Sequence, residues 1–249
     1  HEALEADTVP EDRSLEQLED YYLRRAEGRI RFLQSCGDFE LDFPTSNLAS
    51  LPELIQREEI EINGRRYRNP LAILADIRDS SRLSDILRPR IENFCAHGDM
   101  TFLNMVFDTK AKTYKLIDNR GYIGRWDALY DFGKLKFTLS GFGQVMLGRF
   151  SLSENKKDSF RLELQGSDVL QKLNTSFLED ISRNENFKEL VVEEPYWRER
   201  VMFAEAIHYL SDIPHRLLLD QAPKNAVAVF LLGTERLNDC YRVFEDEQG

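Results

Sequence analysis

The sequence predicts an α+β fold that is mainly α, carrying a few small β-hairpins. Three observations predict it. Apolar residues recur at three- and four-residue steps across residues 14–35, 167–181, 195–210 and 224–244, the spacing that lines one face of a helix. Residues 59–68 and 148–164 alternate apolar with polar around short turn-forming stretches, the mark of hairpin strands. The longest unbroken apolar run, Ala226 to Leu232, is far too short to cross a bilayer.

Composition narrows the class of function. The 249 residues suffice for one large or two small domains, and 42% hydrophobic with 31% charged residues is an ordinary globular mixture. A net charge of −11 argues against nucleic acid or an anionic membrane as partner, since both demand basic surface. A nucleotide stays open, because Mg²⁺ supplies local positive charge. No signal peptide is visible at the start. Cys36, Cys95 and Cys240 stand far apart with no paired Cys/His pattern, so they read as reduced cytosolic thiols, in keeping with a cytoplasmic protein, and not as a zinc site. Cys95 reads as a small core residue.

Taken in order, residues 1–13 are acidic and aperiodic and read as a loose lead-in or linker to a domain spanning 14–249. Ser14 followed by Gln17 fits a capping box. Leu15, Leu18, Tyr22, Ala26, Ile30 and Leu33 then mark an amphipathic helix to about residue 35, with Gly37 as its stop. The arginines at 24, 25, 29 and 31 read as its solvated face in preference to a phosphate site. Residues 38–50 form a loop, and residues 51–57 a short helix. Residues 59–68 alternate on both sides of Asn63-Gly64, the signature of a type I′ hairpin, either a flap beside a substrate or a cover for a helix end. Pro70 opens a helix to about Asp79, residues 84–88 make a helical turn, and residues 91–94 a short strand. Beyond the middle of the chain, a hairpin with its turn at 153–158 precedes a helix from Ser167 with Val169, Leu170, Leu173, Phe177 and Ile181 inward. Pro195 opens a deeply buried helix, and a last helix over about 224–244 turns Val227, Phe230, Leu231, Leu237 and Tyr241 inward. His208 and His215 have no partner at metal-ligand spacing and read as core or surface histidines.

Residues 95–121, Cys-Ala-His-Gly-Asp-Met-Thr-Phe-Leu-Asn-Met-Val-Phe-Asp-Thr-Lys-Ala-Lys-Thr-Tyr-Lys-Leu-Ile-Asp-Asn-Arg-Gly, carry the chemistry. Two apolar runs, 105–107 and 114–117, flank polar turn material. A turn centred near residue 111 pairs Val106 with Leu116 and Asn104 with Asp118, at the roughly 4.5–5.5 Å spacing of cross-strand neighbours. An amide oxygen beside a carboxylate suits a hard cation such as Mg²⁺, which keeps part of its water shell and accepts phosphate oxygens. Asp99, on the loop entering the first strand, has a carboxylate able to take a proton from a substrate hydroxyl. Arg120 reaches either an anion or a structural salt bridge, and Gly121 permits a tight turn.

This pattern resembles the catalytic segment of the kinase-like phosphotransferases, the aminoglycoside phosphotransferases and choline kinases among them. It reads His97-Gly98-Asp99, then Asn104, then Leu116-Ile117-Asp118, followed by Asp127-Ala-Leu-Tyr-Asp131-Phe-Gly-Lys-Leu, in the family's order and spacing. The Ile-Asp-Asn-Arg-Gly form is similar to a bacterial subgroup found with capsule and surface-polysaccharide genes. The resemblance implies a protein-kinase-like C-terminal lobe, with Asp99 as catalytic base and Asn104 and Asp118 as Mg²⁺ ligands. It further implies ATP or GTP as phosphoryl donor, its phosphates met by the metal site and Arg120, and a small-molecule hydroxyl, plausibly of a sugar or polysaccharide precursor, as acceptor. His97, Asp127 and Asp131 are then structural: His97 orients the loop, Asp127 caps a helix, and Asp131 braces the loop from below. Only 96 residues precede His97, and they read as helical, with no strand–Gly-rich-turn–strand pattern and no Val-Ala-Ile-Lys-like strand. The expectation is a C-terminal lobe whose N-terminal β lobe is absent, either a phosphotransferase or a non-catalytic binding module. A metal-dependent hydrolase fits less well, wanting a closer set of His and Asp ligands. Glu193 and Glu194 hint at a polar or cationic acceptor.

Overall fold

The structure, a computed structural model, describes residues 7–35, 51–93, 96–120, 126–156, 159–166 and 168–246. The expectations for Cys36, Gly37, the loop at 38–50, Cys95 and Gly121 fall outside them. The fold is mainly helical with small sheets, as its periodicities require.

The first helix begins earlier than its sequence signals. Helix α1 (Glu11–Leu18) follows Pro10, runs through a π-helical turn (Glu19–Leu23) and continues as α2 (Arg24–Ser35). Glu11 and Asp12 in the first turn oppose the positive end of the helix dipole. Ser14 and Gln17 are not a cap. Both are buried; the Ser14 hydroxyl donates to the Pro89 carbonyl, and Gln17 Nε2 donates to Glu92 at 3.1 Å. Upstream, β1 (Asp7–Thr8) pairs with β4 (Ile91–Asn93), so the fold starts inside the stretch read as a lead-in.

Short helix α3 (Leu51–Ile55) leads into β2 (Glu59–Ile62) and β3 (Arg65–Arg68). Asn63 and Gly64 both adopt positive φ, 53° and 80°, as a type I′ turn requires. Helix α4 (Pro70–Asp79) is capped by Asn69, whose side chain accepts the Leu71 N–H at 2.8 Å; α5 (Ser81–Leu87) is capped by Ser80. After β4 come β5 (Met105–Asp108), β6 (Thr113–Leu116) and β7 (Trp126–Asp127), then α6 (Tyr130–Phe137), a π-helical turn (Thr138–Phe142) and α7 (Gly143–Met146). Strands β8 (Phe150–Lys156) and β9 (Ser159–Leu164) form the later hairpin. Helices α8 (Asp168–Ser182), α9 (Glu185–Leu190), α10 (Trp197–Pro214) and α11 (Pro223–Asp246) complete the chain.

The two hairpins read from the sequence join into one sheet of order β3-β2-β9-β8, with β2 and β9 parallel. Asn63 makes the join: its side chain donates to the Leu162 carbonyl and accepts the Leu162 N–H, both at 2.9 Å. The sheet edge is fixed to α11, where Asn238 bonds both backbone groups of Arg68 at 2.9 and 3.0 Å. The first hairpin therefore covers a helix and is not a free flap.

The core centres on α10, buried nearly all round against α2, α6 and α11. Helices α6 and α10 touch at Gly133, where a Cβ would stand 2.3 Å from that of Ala204. Each wholly buried Phe, Leu or Ile here contributes roughly 1.5–3 kcal/mol by leaving water. A second, smaller cluster joins Ile91, Leu129, Phe187 and Val201. Helix α8 reaches it through its C-terminal half: Phe177 is buried, whereas Val169, Leu170 and Leu173, expected inward, are exposed.

Candidate functional site

The loop between β4 and β5 is built on the first turn of α6. Buried Asp131 accepts the backbone N–H groups of His97 at 2.5 Å and Gly98 at 2.9 Å. Burial pushes its pKa up, and the two N–H groups pull against that rise by favouring the carboxylate. His97 is buried and ties the loop together: its Nδ1 lies 3.3 Å from the Asp99 N–H, its Nε2 lies 2.9 Å from the Ile117 carbonyl, and its own carbonyl accepts the Arg120 N–H at 3.1 Å. Gly98 has φ +74°, and a Cβ there would press on Arg120 at 3.3 Å. Glycine is the residue that makes this left-handed turn without strain.

Asp99 is thereby held beside two partners. Asn104 Nδ2 donates to the Asp99 carbonyl at 2.8 Å and lies 3.5 Å from its carboxylate. Lys134 Nζ, nearly buried, stands 3.2 Å from Asp99 Oδ1, and Arg120 stands looser at 3.8 Å. Burial lowers the pKa of Lys134, opposed by Asp99 and Asp212.

Asp118 is placed differently from the expectation. The hairpin pairs Met105 with Leu116 and Val106 with Lys115, and the Asn104 carbonyl accepts the Ile117 N–H at 2.9 Å. Asn104 therefore does not face Asp118. The cause is the turn: Asp108 Oδ1 accepts the N–H groups of Lys110 and Ala111 at 2.8 and 3.0 Å, and Lys112 takes φ 52°. This Asx turn shifts the pairing by one residue from the symmetric centre assumed from the sequence. Asp118 follows the strand in a left-handed conformation, φ 57°, exposed to solvent. Its donor chemistry and that of Asn104, whose Oδ1 is left open by the Nδ2 bonds, suit Mg²⁺, although the register does not set the two residues opposite each other. Among the described residues no three His, Cys, Asp or Glu groups cluster as a metal site.

Beneath the site, Asp127 joins a buried ion network. Arg200 of α10 donates to Asp127 at 2.6 Å and to Glu194, Tyr22 donates its hydroxyl to Asp127, and Asp127 also accepts the Leu129 N–H at 2.9 Å. Glu194 further accepts the N–H groups of Arg90 and Ile91 at 2.7 and 3.1 Å. Glu194 is thus buried and ion-paired inside the protein, its Oε1 taking all three of these bonds, which removes it as a sign of a cationic acceptor.

A cleft of about 680 Å³ opens over Asp99, Asn104 and Arg120. Asp118 is not among its lining residues. Its floor includes Lys134 and His208; burial, reinforced by Lys134 and Arg25, holds the His208 pKa well below the usual imidazole value. The first helix lines it with Tyr21, Arg25 and Arg29, and Trp126 stacks on Tyr21 at 3.9 Å between ring centroids and 10° between planes. Charges in the cleft do not balance. Lys134 is matched by Asp99, Arg216 by Asp212 at 2.9 Å, and Asp20 by Arg24 at 2.7 Å. Arg25 donates to the Tyr130 hydroxyl, and neither it nor Arg29 has an ion-pair partner among the described residues.

Compared with known proteins, the chain matches no family model, no curated protein and no solved structure.

In the sequence Lys134 received no role, and Arg25 and Arg29 were read as a solvated helix face in preference to a phosphate site. Lys134 follows Asp131 by three residues, so one helix face carries both, and that spacing was a usable signal. Tyr21, Arg25 and Arg29 recur at four-residue steps beside the buried stripe; a cationic stripe next to an apolar one marks a face turned toward a cleft rim.

Proposed function

We propose that this chain is the larger lobe of a kinase-like phosphotransferase, moving the γ-phosphoryl of ATP or GTP to a hydroxyl of a small molecule, with a sugar or polysaccharide precursor as the leading class. In this reading the acceptor oxygen forms a bond to the γ-phosphorus while the bond from phosphorus to the β-phosphate oxygen breaks, releasing the nucleoside diphosphate. The hydroxyl proton passes to Asp99. Asn104 and Asp118 would hold Mg²⁺, which would supply positive charge to the phosphates when bound, and Arg120 contributes further positive charge. Such chemistry is chiefly positioning and electrostatics.

The observation that carries the reading is the mounting of Asp99. A buried carboxylate grips the two preceding backbone N–H groups, a buried histidine grips the Asp99 N–H, and the carboxylate so held faces a cleft beside Asn104 and Lys134. Lys134 Nζ at 3.2 Å sets a positive charge beside the Asp99 carboxylate, the group that takes the proton in this reading.

One observation favours a second reading, a kinase-like module that binds without turning over. Asp118 lies outside the cleft lining, one step past the residue that pairs with Asn104. Thermal shift with Mg²⁺ and a non-hydrolysable ATP analogue separates the two, run on the wild type, Asp118→Ala and Asp99→Asn. A ligand at 100 times its Kd adds roughly 2.7 kcal/mol of stability. The transferase reading expects a metal-dependent rise that Asp118→Ala abolishes and Asp99→Asn keeps, with turnover lost in Asp99→Asn. Wild-type turnover in Asp99→Asn sinks the assignment.

A further inference from the structure

The unpaired cations of the cleft point to what fills it. The protein as a whole is strongly acidic, at −11, yet this cleft of about 680 Å³ presents two arginines, Arg25 and Arg29, with no ion-pair partner among the described residues. Arg25 is anchored by its bond to Tyr130, which pre-orients the guanidinium and limits the entropy lost when it grips a ligand. Arg29 stands one helical turn further along the same face, exposed and unpartnered. The stacked pair of Tyr21 and Trp126 also lines the cleft, an aromatic surface suited to the apolar face of a ring. Asp99 and Lys134 line the same cleft, and 680 Å³ accommodates a sugar-sized molecule together with phosphate groups.

We infer that the cleft takes an acceptor that is itself an anionic ring compound, a hexose phosphate or uronate, with its anionic group on Arg25 and Arg29 and its ring against Tyr21 and Trp126. The inference rests on the transferase reading for the word acceptor, but the binding claim stands or falls independently of turnover. The same arginines are chemically able to meet a nucleotide phosphate, so the test separates the two sources of anion.

The experiment is calorimetric titration of the full chain with glucose 6-phosphate, glucuronate, glucose, glucosamine and ADP, in the wild type and in Arg29→Gln and Arg25→Gln. Arg29 is exposed with no partner, so Arg29→Gln leaves the fold intact; Arg25→Gln, which loses the Tyr130 bond, is the second variant. The expected result is that glucose 6-phosphate or glucuronate binds at least tenfold more tightly than glucose or glucosamine, and that Arg29→Gln removes about tenfold of that affinity. ADP binding is expected to be little changed by Arg29→Gln. Equal binding of all the sugars, preference for glucosamine, or no sugar binding overturns the inference. So does an Arg29-dependent ADP affinity that glucose 6-phosphate does not compete. Arginine-dependent binding of the anionic sugars, with neither phosphoryl transfer from ATP nor any Mg²⁺-dependent thermal shift by the ATP analogue, refutes the transferase reading and leaves this inference standing. Asp99-dependent phosphorylation of a neutral or cationic hydroxyl compound, with the anionic sugars unbound, does the reverse.

Discussion

Replacing Asp131 by Asn tests the foundation of the site. The carboxylate accepts two backbone N–H groups, at 2.5 and 2.9 Å, from inside the protein. An amide of the same shape offers one oxygen, so one N–H stays satisfied and the other meets an NH₂ group. A hydrogen bond to a charged acceptor contributes about 1.5–3 kcal/mol, and stranding a buried donor costs about 1–3 kcal/mol. Part of this is returned, because burial already penalises the Asp131 carboxylate, as its raised pKa records, and the neutral amide escapes that penalty. The net expectation is about 2–4 kcal/mol of lost stability. Urea unfolding at pH 7 measures it as a fall in the midpoint at constant slope. Hydrogen exchange adds a local readout, since protection of the His97 and Gly98 amides should fall further than that of amides in α11. A loss under about 0.5 kcal/mol, the ordinary scatter of surface substitutions, with those two amides still protected, would refute the claim that Asp131 holds the loop.

Two further outcomes follow from packing and burial. Gly133→Ala should cost about 1–3 kcal/mol through overpacking, because its Cβ would fall 2.3 Å from that of Ala204; adding Ala204→Gly should recover part of the loss, and additive losses in thermal unfolding would contradict the close approach. His208 is buried with its pKa driven well down, so as pH falls the unfolded chain takes up a proton near pH 6.5 and the folded chain does not. Its contribution is therefore whole above about pH 6.5 and is lost below it, by about 1.4 kcal/mol per pH unit. Urea midpoints between pH 7 and 5.5 should fall more steeply in the wild type than in His208→Gln, which keeps a donor for the Tyr130 carbonyl; parallel curves would contradict it. The buried carboxyls whose pKa values are raised, Asp212 and Glu194 among them, titrate in both proteins and cancel in this comparison.

Elements with local instructions were legible in the sequence. Helix α4 carries its own cap and its own Pro, the β2–β3 turn carries Asn-Gly, and the inward face of α11 follows strict helical spacing; in each case the chain within ten or so residues decides the outcome. The unreadable parts were decided by distant partners. Ser14 and Gln17 have the spacing of a cap, but Pro89 and Glu92 claim them. Glu194 looks like surface acid until Arg200 arrives from the next helix. The register of β5–β6 was missed for a third reason. Apolar side chains occupy both faces of that hairpin and most are exposed, Val106 at 53%, Phe107 at 59% and Tyr114 at 64%. Where neither face is buried, the hydrophobic pattern does not pin the pairing, and a single Asx turn sets it.

That last point bears on how the candidate site is divided. The Asp99 side is fixed from within: Asp131, His97 and Lys134 are buried, and the ion network of Asp127, Arg200 and Glu194 locks the strand and helix that carry them. The Asn104 and Asp118 side rides on the exposed hairpin, where Leu103, Phe107 and Ile117 also face solvent. An apolar surface of this kind marks a place where further protein or a ligand sits. Under the transferase reading, then, the half that handles the acceptor is preorganised, while the half that holds metal and phosphates is completed by whatever covers the hairpin. Preorganised sites bind without a large ordering cost, and unfinished ones do not. The prediction that separates them is an inequality: acceptor-class anions should bind this chain with little help from Mg²⁺, whereas nucleotide should bind weakly and only with it. Tight, metal-independent nucleotide binding alongside no affinity for anionic sugars would show that the division has been drawn the wrong way round.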